Sequence, residues 1–170
     1  MSVALAFVLA ATLIAAVADV RTQRIPNTLT ISLAAASLIV NACIGWQALT
    51  ISLGLLIATL VIGTVAFSAR LIGGGDVKLI AASVAALGVG ASLWFLLYTF
   101  VAGGVIAITL SAWRRSLPAL FSNVRALAIP VFVGLPTPRT HGERMPYGVA
   151  IFVGTLALAI QTHFLPNIRI

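Results

Sequence analysis

The sequence is short of acid. Only three of its 170 residues are Asp or Glu, against ten Lys and Arg, and charged residues of both signs make up 8%. Soluble domains carry roughly 25% charged residues, so this chain lacks the polar surface needed to cover a globule in water. It has one cysteine, Cys43. That excludes an intramolecular disulfide and a paired-cysteine metal knuckle, and inside its apolar run Cys43 reads as a small buried residue. His141 and His163 stand alone, and two distant histidines do not make a zinc site. No metal and no other cofactor is expected.

What is present is hydrophobic, 61% of the residues, with a mean hydropathy of +1.17. Long uncharged stretches are stable in lipid as helices, because a helix satisfies its own backbone. A net charge of +7 would point to nucleic acid in a soluble protein. Here the basic residues sit singly between apolar runs, where they act as topology signals. A lipid bilayer is the expected partner and nucleic acid is not. Ala16-Val17-Ala18 resembles a small-residue cleavage site, but Met1 to Ala18 contains no Lys or Arg. Without a basic n-region this stretch reads as a retained first span rather than a secretory signal.

Block length sets the number of spans, since a crossing helix needs about 20 residues. Ser2 to Ala18 makes one. Ile25 to Ala69 would run about 68 Å as a single helix at 1.5 Å per residue. That is twice a hydrocarbon core of about 30 Å, so it must turn back, around Asn41 to Gln47. Leu79 to Trp113 would run about 52 Å and again divides in two, near Gly88-Val89-Gly90. Pro146 to Phe164 completes the set. The expectation is an all-α polytopic bundle of about six transmembrane helices forming one domain over residues 1–170. The spans fall at 2–18, 27–45, 49–69, 77–89, 91–113 and 146–164, and 114–145 is an inner-face segment.

Loop charge gives the orientation. Nine of the ten Lys and Arg fall in segments 19–27, 70–78 and 113–145, and only Arg169 falls on the other side. The basic side is expected in the cytoplasm, with both termini outside. Within 113–145, Leu117, Leu120, Val124 and Leu127 recur at helical spacing and read as an interfacial helix.

All three acids, Asp19, Asp76 and Glu143, fall on the inner side. Acids beside hydrocarbon are costly and mark function by default. Asp19 alone reads equally as a polar stop paired with Arg21 or Arg24, and Asp76 alone as a helix N-cap. An N-cap, however, does not need the three glycines Gly73-Gly74-Gly75, each of which loses entropy on ordering. Glycines are useful where backbone must approach a ligand such as an extended peptide. Two carboxyls at one depth, sharing one proton, can hydrolyse a peptide without metal. Asp19 ends one helix and Asp76 begins another, so helix dipoles place the charge on Asp76 and the proton on Asp19.

These residues resemble the type IV prepilin peptidases, aspartic proteases of the GxGD type. Gly73-x-Gly75-Asp76 followed by Val77-Lys78 is similar to the name motif, and Asp19 with Arg24-Ile25-Pro26-Asn27 to the first aspartate motif. Met145-Pro146-Tyr147-Gly148 resembles the segment opening the last span. The resemblance implies the GxGD aspartyl protease fold, with Asp19 and Asp76 catalytic. It makes Gly73, Gly74, Gly75, Lys78, Pro146, Tyr147 and Gly148 candidates for substrate binding or loop support. It implies an endopeptidase in a bacterial inner membrane that removes a short basic leader from pilin-like precursors. The lone cysteine makes the chain similar to the short form found in Flp/Tad pilus systems, for which methyltransferase activity is not expected. Three other readings compete, one of them a non-catalytic membrane subunit of a secretion machine, which would tolerate Asp→Asn at either site. Presenilin-type proteases also use GxGD, but Pro118-Ala119-Leu120, which spells their third motif, lies in the basic inner segment. A small transporter using Asp19 and Asp76 for protons or cations would place its acids near the bilayer midplane.

Overall fold

Apolar runs bounded by charge or by Gly and Pro become helices, because a lipid-facing backbone has no other hydrogen-bond partners. The computed structural model of the protein describes residues 3–68, 72–113 and 147–164. They form α1 (Val3–Thr22), α2 (Asn27–Ile44), α3 (Trp46–Ser68), α4 (Gly74–Trp113) and α5 (Tyr147–Phe164), with no strand among the described residues. All five are long and apolar enough to cross a membrane, and the chain is a multi-pass membrane protein. The interfacial helix read within 113–145, with Glu143 and Pro146, lies outside the described residues.

Five continuous helices replace the six expected, and the difference lies in α4. Its 40 residues would span about 60 Å if straight, but Gly88 breaks it at φ 76° and ψ 178°. Expected spans 77–89 and 91–113 are two arms, 74–87 and 89–113, with a turn compressed into one residue that only glycine adopts readily. The hydroxyl of Ser92 reaches the carbonyl of Val84 at 3.0 Å, eight residues back. A straight helix would hold those residues about 12 Å apart. The chain therefore doubles back at Gly88. The α2–α3 turn, expected between Asn41 and Gln47, is similarly brief: Gly45, at φ 151°, closes α2 through its N–H to Asn41 O at 3.1 Å.

The break at Gly88 removes helical partners from nearby carbonyls in an apolar setting. Ser92 serves Val84 O. Ser52 of α3, 2% exposed, donates to Ala85 O at 2.8 Å. Such re-satisfaction by serine lets a broken helix persist at membrane depth. Ser52→Ala should lower stability by about 1 kcal/mol, the usual cost of orphaning a buried acceptor, read as a fall in thermal midpoint of the purified protein in detergent.

Contacts along the helices fix their directions. On α3, Phe67 lies near Gly74, Gly63 packs on Val77, and Ser52 bonds Ala85, so α3 and the first arm are antiparallel. Tyr98 of the second arm bonds Gln161, while Gly103 meets Ala150, so that arm opposes α5. The core between them is Leu79, Val84, Phe95, Ile151 and Leu158 with Val8 of α1. In lipid, close packing of this kind holds helices together more than water exclusion does. Two boundaries differ from expectation. Helix α1 continues past Asp19 to Thr22, so Asp19 lies in its last turn rather than beyond it. Cys43 is exposed on the outside of α2 and is not a core residue, because α2 turns that face away from the bundle.

Candidate active site

One end of the bundle collects the last turn of α1, the start of α2, the end of α3 and the first residues of α4 and α5. Asp19 is placed by how α1 stops. Gln23 adopts φ 52°, and its N–H bonds the carbonyl of Asp19 at 2.8 Å, a left-handed termination of the last turn. The chain then crosses to Pro26, whose fixed φ of −62° starts α2. The Asp19 carboxyl is thereby turned inward and is 7% exposed.

Its partner there comes from the far end of the sequence. The backbone N–H of Gly148, in the first turn of α5, donates to Asp19 Oδ2 at 2.8 Å. Such N–H groups have no acceptor within their own helix and favour anionic ones. The approach is close: a Cβ on Gly148 would lie 2.9 Å from Asp19 Cβ and 3.3 Å from Ala15 O. Asp19 thus faces two helix ends, the C-terminus of α1 and the N-terminus of α5. The sequence argument that gave it the proton counted only the first.

Asp76 occupies the third position of α4. The Gly73 backbone N–H hydrogen-bonds its carboxyl, and Val77 N–H returns to Gly73 O at 3.1 Å. The first is the side-chain half of a capping box and the second is the opening bond of the helix. A Cβ on Gly73 would fall 2.6 Å from Asp76 Oδ2, so the carboxyl occupies the space a side chain would need. Asp19 and Asp76 lie close enough to act on each other's charge, and Asp76 acts likewise on Tyr147.

The two aspartate segments also dock directly. Ile25 packs on Gly75, where a Cβ would meet Ile25 Cβ at 3.1 Å. Lys78 Nζ donates to Asn27 Oδ1 at 3.0 Å. Asn27 and Ile25 stood in the quoted motif without a role. The signal that could have assigned one was an amide at the head of a helix facing a lone Lys. If the Lys78–Asn27 contact couples the segments, Lys78→Met and Asn27→Ala should each slow the site's reaction about fivefold. Their combination should be no slower than either alone, as expected of residues in one network.

The structure brings together Asp19, Asp76, Gly73, Gly74, Gly75, Lys78, Tyr147 and Gly148. No group of three or more His, Cys, Asp or Glu suited to a metal ion occurs among the described residues. Two carboxyls within electrostatic reach at a sheltered helix end can divide the acid and base roles and activate water.

The described helices form a membrane bundle that gathers Asp19 and Asp76 at one end. Residues 6–108, which include both aspartates, match the type IV leader peptidase family. The chain belongs to that family and is a leader-peptidase-like protease. No curated protein and no solved structure matches it. Tyr147 and Gly148 lie beyond the matched residues, and it is the fold that brings them to the site.

Proposed function

We propose that the protein is an aspartic endopeptidase that removes the short basic leader from Flp-type pilin-like precursors at the cytoplasmic face of a bacterial inner membrane. The observation that carries this reading is that Asp19 and Asp76 lie at one end of the bundle within electrostatic reach of each other, each held by a backbone N–H at a helix start. In the reaction, the ionised carboxyl takes a proton from water as the water oxygen bonds to the scissile carbonyl carbon. The protonated carboxyl hydrogen-bonds the carbonyl oxygen and then passes its proton to the leaving nitrogen as the C–N bond breaks. After one turnover the first carboxyl holds the proton and the second the charge, so neither residue owns the proton throughout the cycle.

Nine of the ten Lys and Arg fall in the three sequence segments expected on the side of the aspartates, which supports a cytoplasmic site with both termini outside. A basic leader gains nothing from that surface charge. Recognition therefore rests on the precursor's apolar helix, lying in the bilayer beside the bundle, and on the acidic pair. Co-expression with a pilin-like precursor tests the reading. The wild type should yield a shortened product whose new N-terminus follows the leader, and the double variant Asp19→Asn/Asp76→Asn should leave the precursor intact. An intact precursor with the wild type overturns the assignment.

A further inference from the structure

Tyr147 brings to the site a hydroxyl that the two-carboxyl reaction does not use. It is the first residue of α5, directly before the Gly148 whose N–H holds Asp19. Its ring reaches across to the second arm of α4, where a Cβ on Gly103 would lie 3.7 Å from Tyr147 Cε1. Asp76 of the first arm is close enough to interact with it electrostatically. The residue thus sits at the end of the bundle that holds both carboxyls.

Its hydroxyl makes no hydrogen bond with any described residue. Tyr98 is the contrast. Packed among the helices, it donates to Gln161 Oε1 at 2.8 Å, as a partly buried phenol ordinarily must. A phenol with no partner among the described residues, at the end of the bundle that holds both acids, is a donor awaiting an acceptor.

We propose that Tyr147 donates a hydrogen bond to the carbonyl oxygen of the scissile peptide, a second donor alongside the protonated carboxyl. This rests on the peptidase reading. As the water oxygen bonds to the carbonyl carbon, the C=O electron pair moves onto oxygen. Tyr147 O–H and the protonated carboxyl stabilise it together. The phenol keeps its proton throughout, and the leaving nitrogen receives its proton from the carboxyl. Such donors act mainly where charge develops, so their loss falls on kcat.

The test is steady-state cleavage of a pilin-like precursor by the full-length protein in detergent. Tyr147→Phe should lower kcat about 100-fold, the usual effect of removing one oxyanion donor, with KM changed less than about twofold. Tyr98→Phe should lower the thermal midpoint and leave kcat unchanged. Tyr147→Phe with wild-type kcat, or with only KM raised, overturns the proposal while leaving the peptidase reading intact. A wild type that cannot cleave the precursor removes both. Should Tyr147→Phe fold poorly, replacing Tyr147 by 3,5-difluorotyrosine keeps its shape and makes the phenol more acidic. As the stronger donor it should raise kcat at pH values where the phenol keeps its proton, and an unchanged kcat overturns the proposal.

Discussion

Asn in place of Asp19 or of Asp76 should reduce leader cleavage by at least about 10³-fold, within the range for loss of a positioned acid or base. Asn keeps the shape of Asp and one acceptor oxygen. At position 19 it can still receive the Gly148 N–H, now bonded to Asp19 Oδ2 at 2.8 Å, and at position 76 the N–H of Gly73. Folding should survive both changes, and the thermal midpoint in detergent checks that it does. The double variant should be little slower than either single one, since groups acting as a unit lose their joint effect at the first substitution. The initial rate of precursor shortening measures all three. A single variant that keeps more than a tenth of wild-type activity would mean that one carboxyl suffices.

Gly148→Ala is the second large effect, about 10²-fold on kcat, the scale expected for displacing a reacting group by about 1 Å. The added methyl would stand 2.9 Å from Asp19 Cβ, 3.0 Å from Oδ2 and 3.3 Å from the carbonyl of Ala15. Two of those neighbours belong to the Asp19 side chain itself and the third is helix backbone. Either Asp19 turns away or α1 and α5 separate. Gly104→Ala is the matched control, because a Cβ there meets nothing within 4 Å, and it should cleave at the wild-type rate. Equal rates for Gly148→Ala and wild type would show that α5 does not hold Asp19 during turnover.

The helices were legible because hydrocarbon imposes a length rule on uncharged runs. The turns at Gly45 and Gly88 followed from runs too long for one crossing. Their brevity did not follow, since the sequence could not show that Ser52 and Ser92 would take up the freed carbonyls. Which faces pack was also hidden. Helix α3 is apolar all round and buries only Ser52, so no stripe distinguished core from lipid. Cys43 was misread for the same reason. At the site, composition singled out Asp19 and Asp76, because acids are scarce and beside lipid each needs a reason. The Gly148 N–H could not be read, being a backbone group brought in by tertiary packing. Nor could the Lys78–Asn27 contact, which joins residues 51 apart in sequence.

The contact between Gly148 and Asp19 spans 129 residues of chain, and this orders events during biosynthesis. At about 5–20 residues per second, the helix bearing Asp19 emerges from the ribosome roughly ten seconds before the glycine that secures it. Until α5 inserts, the early acid has no helix start to face. Proteolytic competence is therefore deferred to a late stage of membrane insertion, and a nascent chain halted before α5 should be inert toward its neighbours in the bilayer.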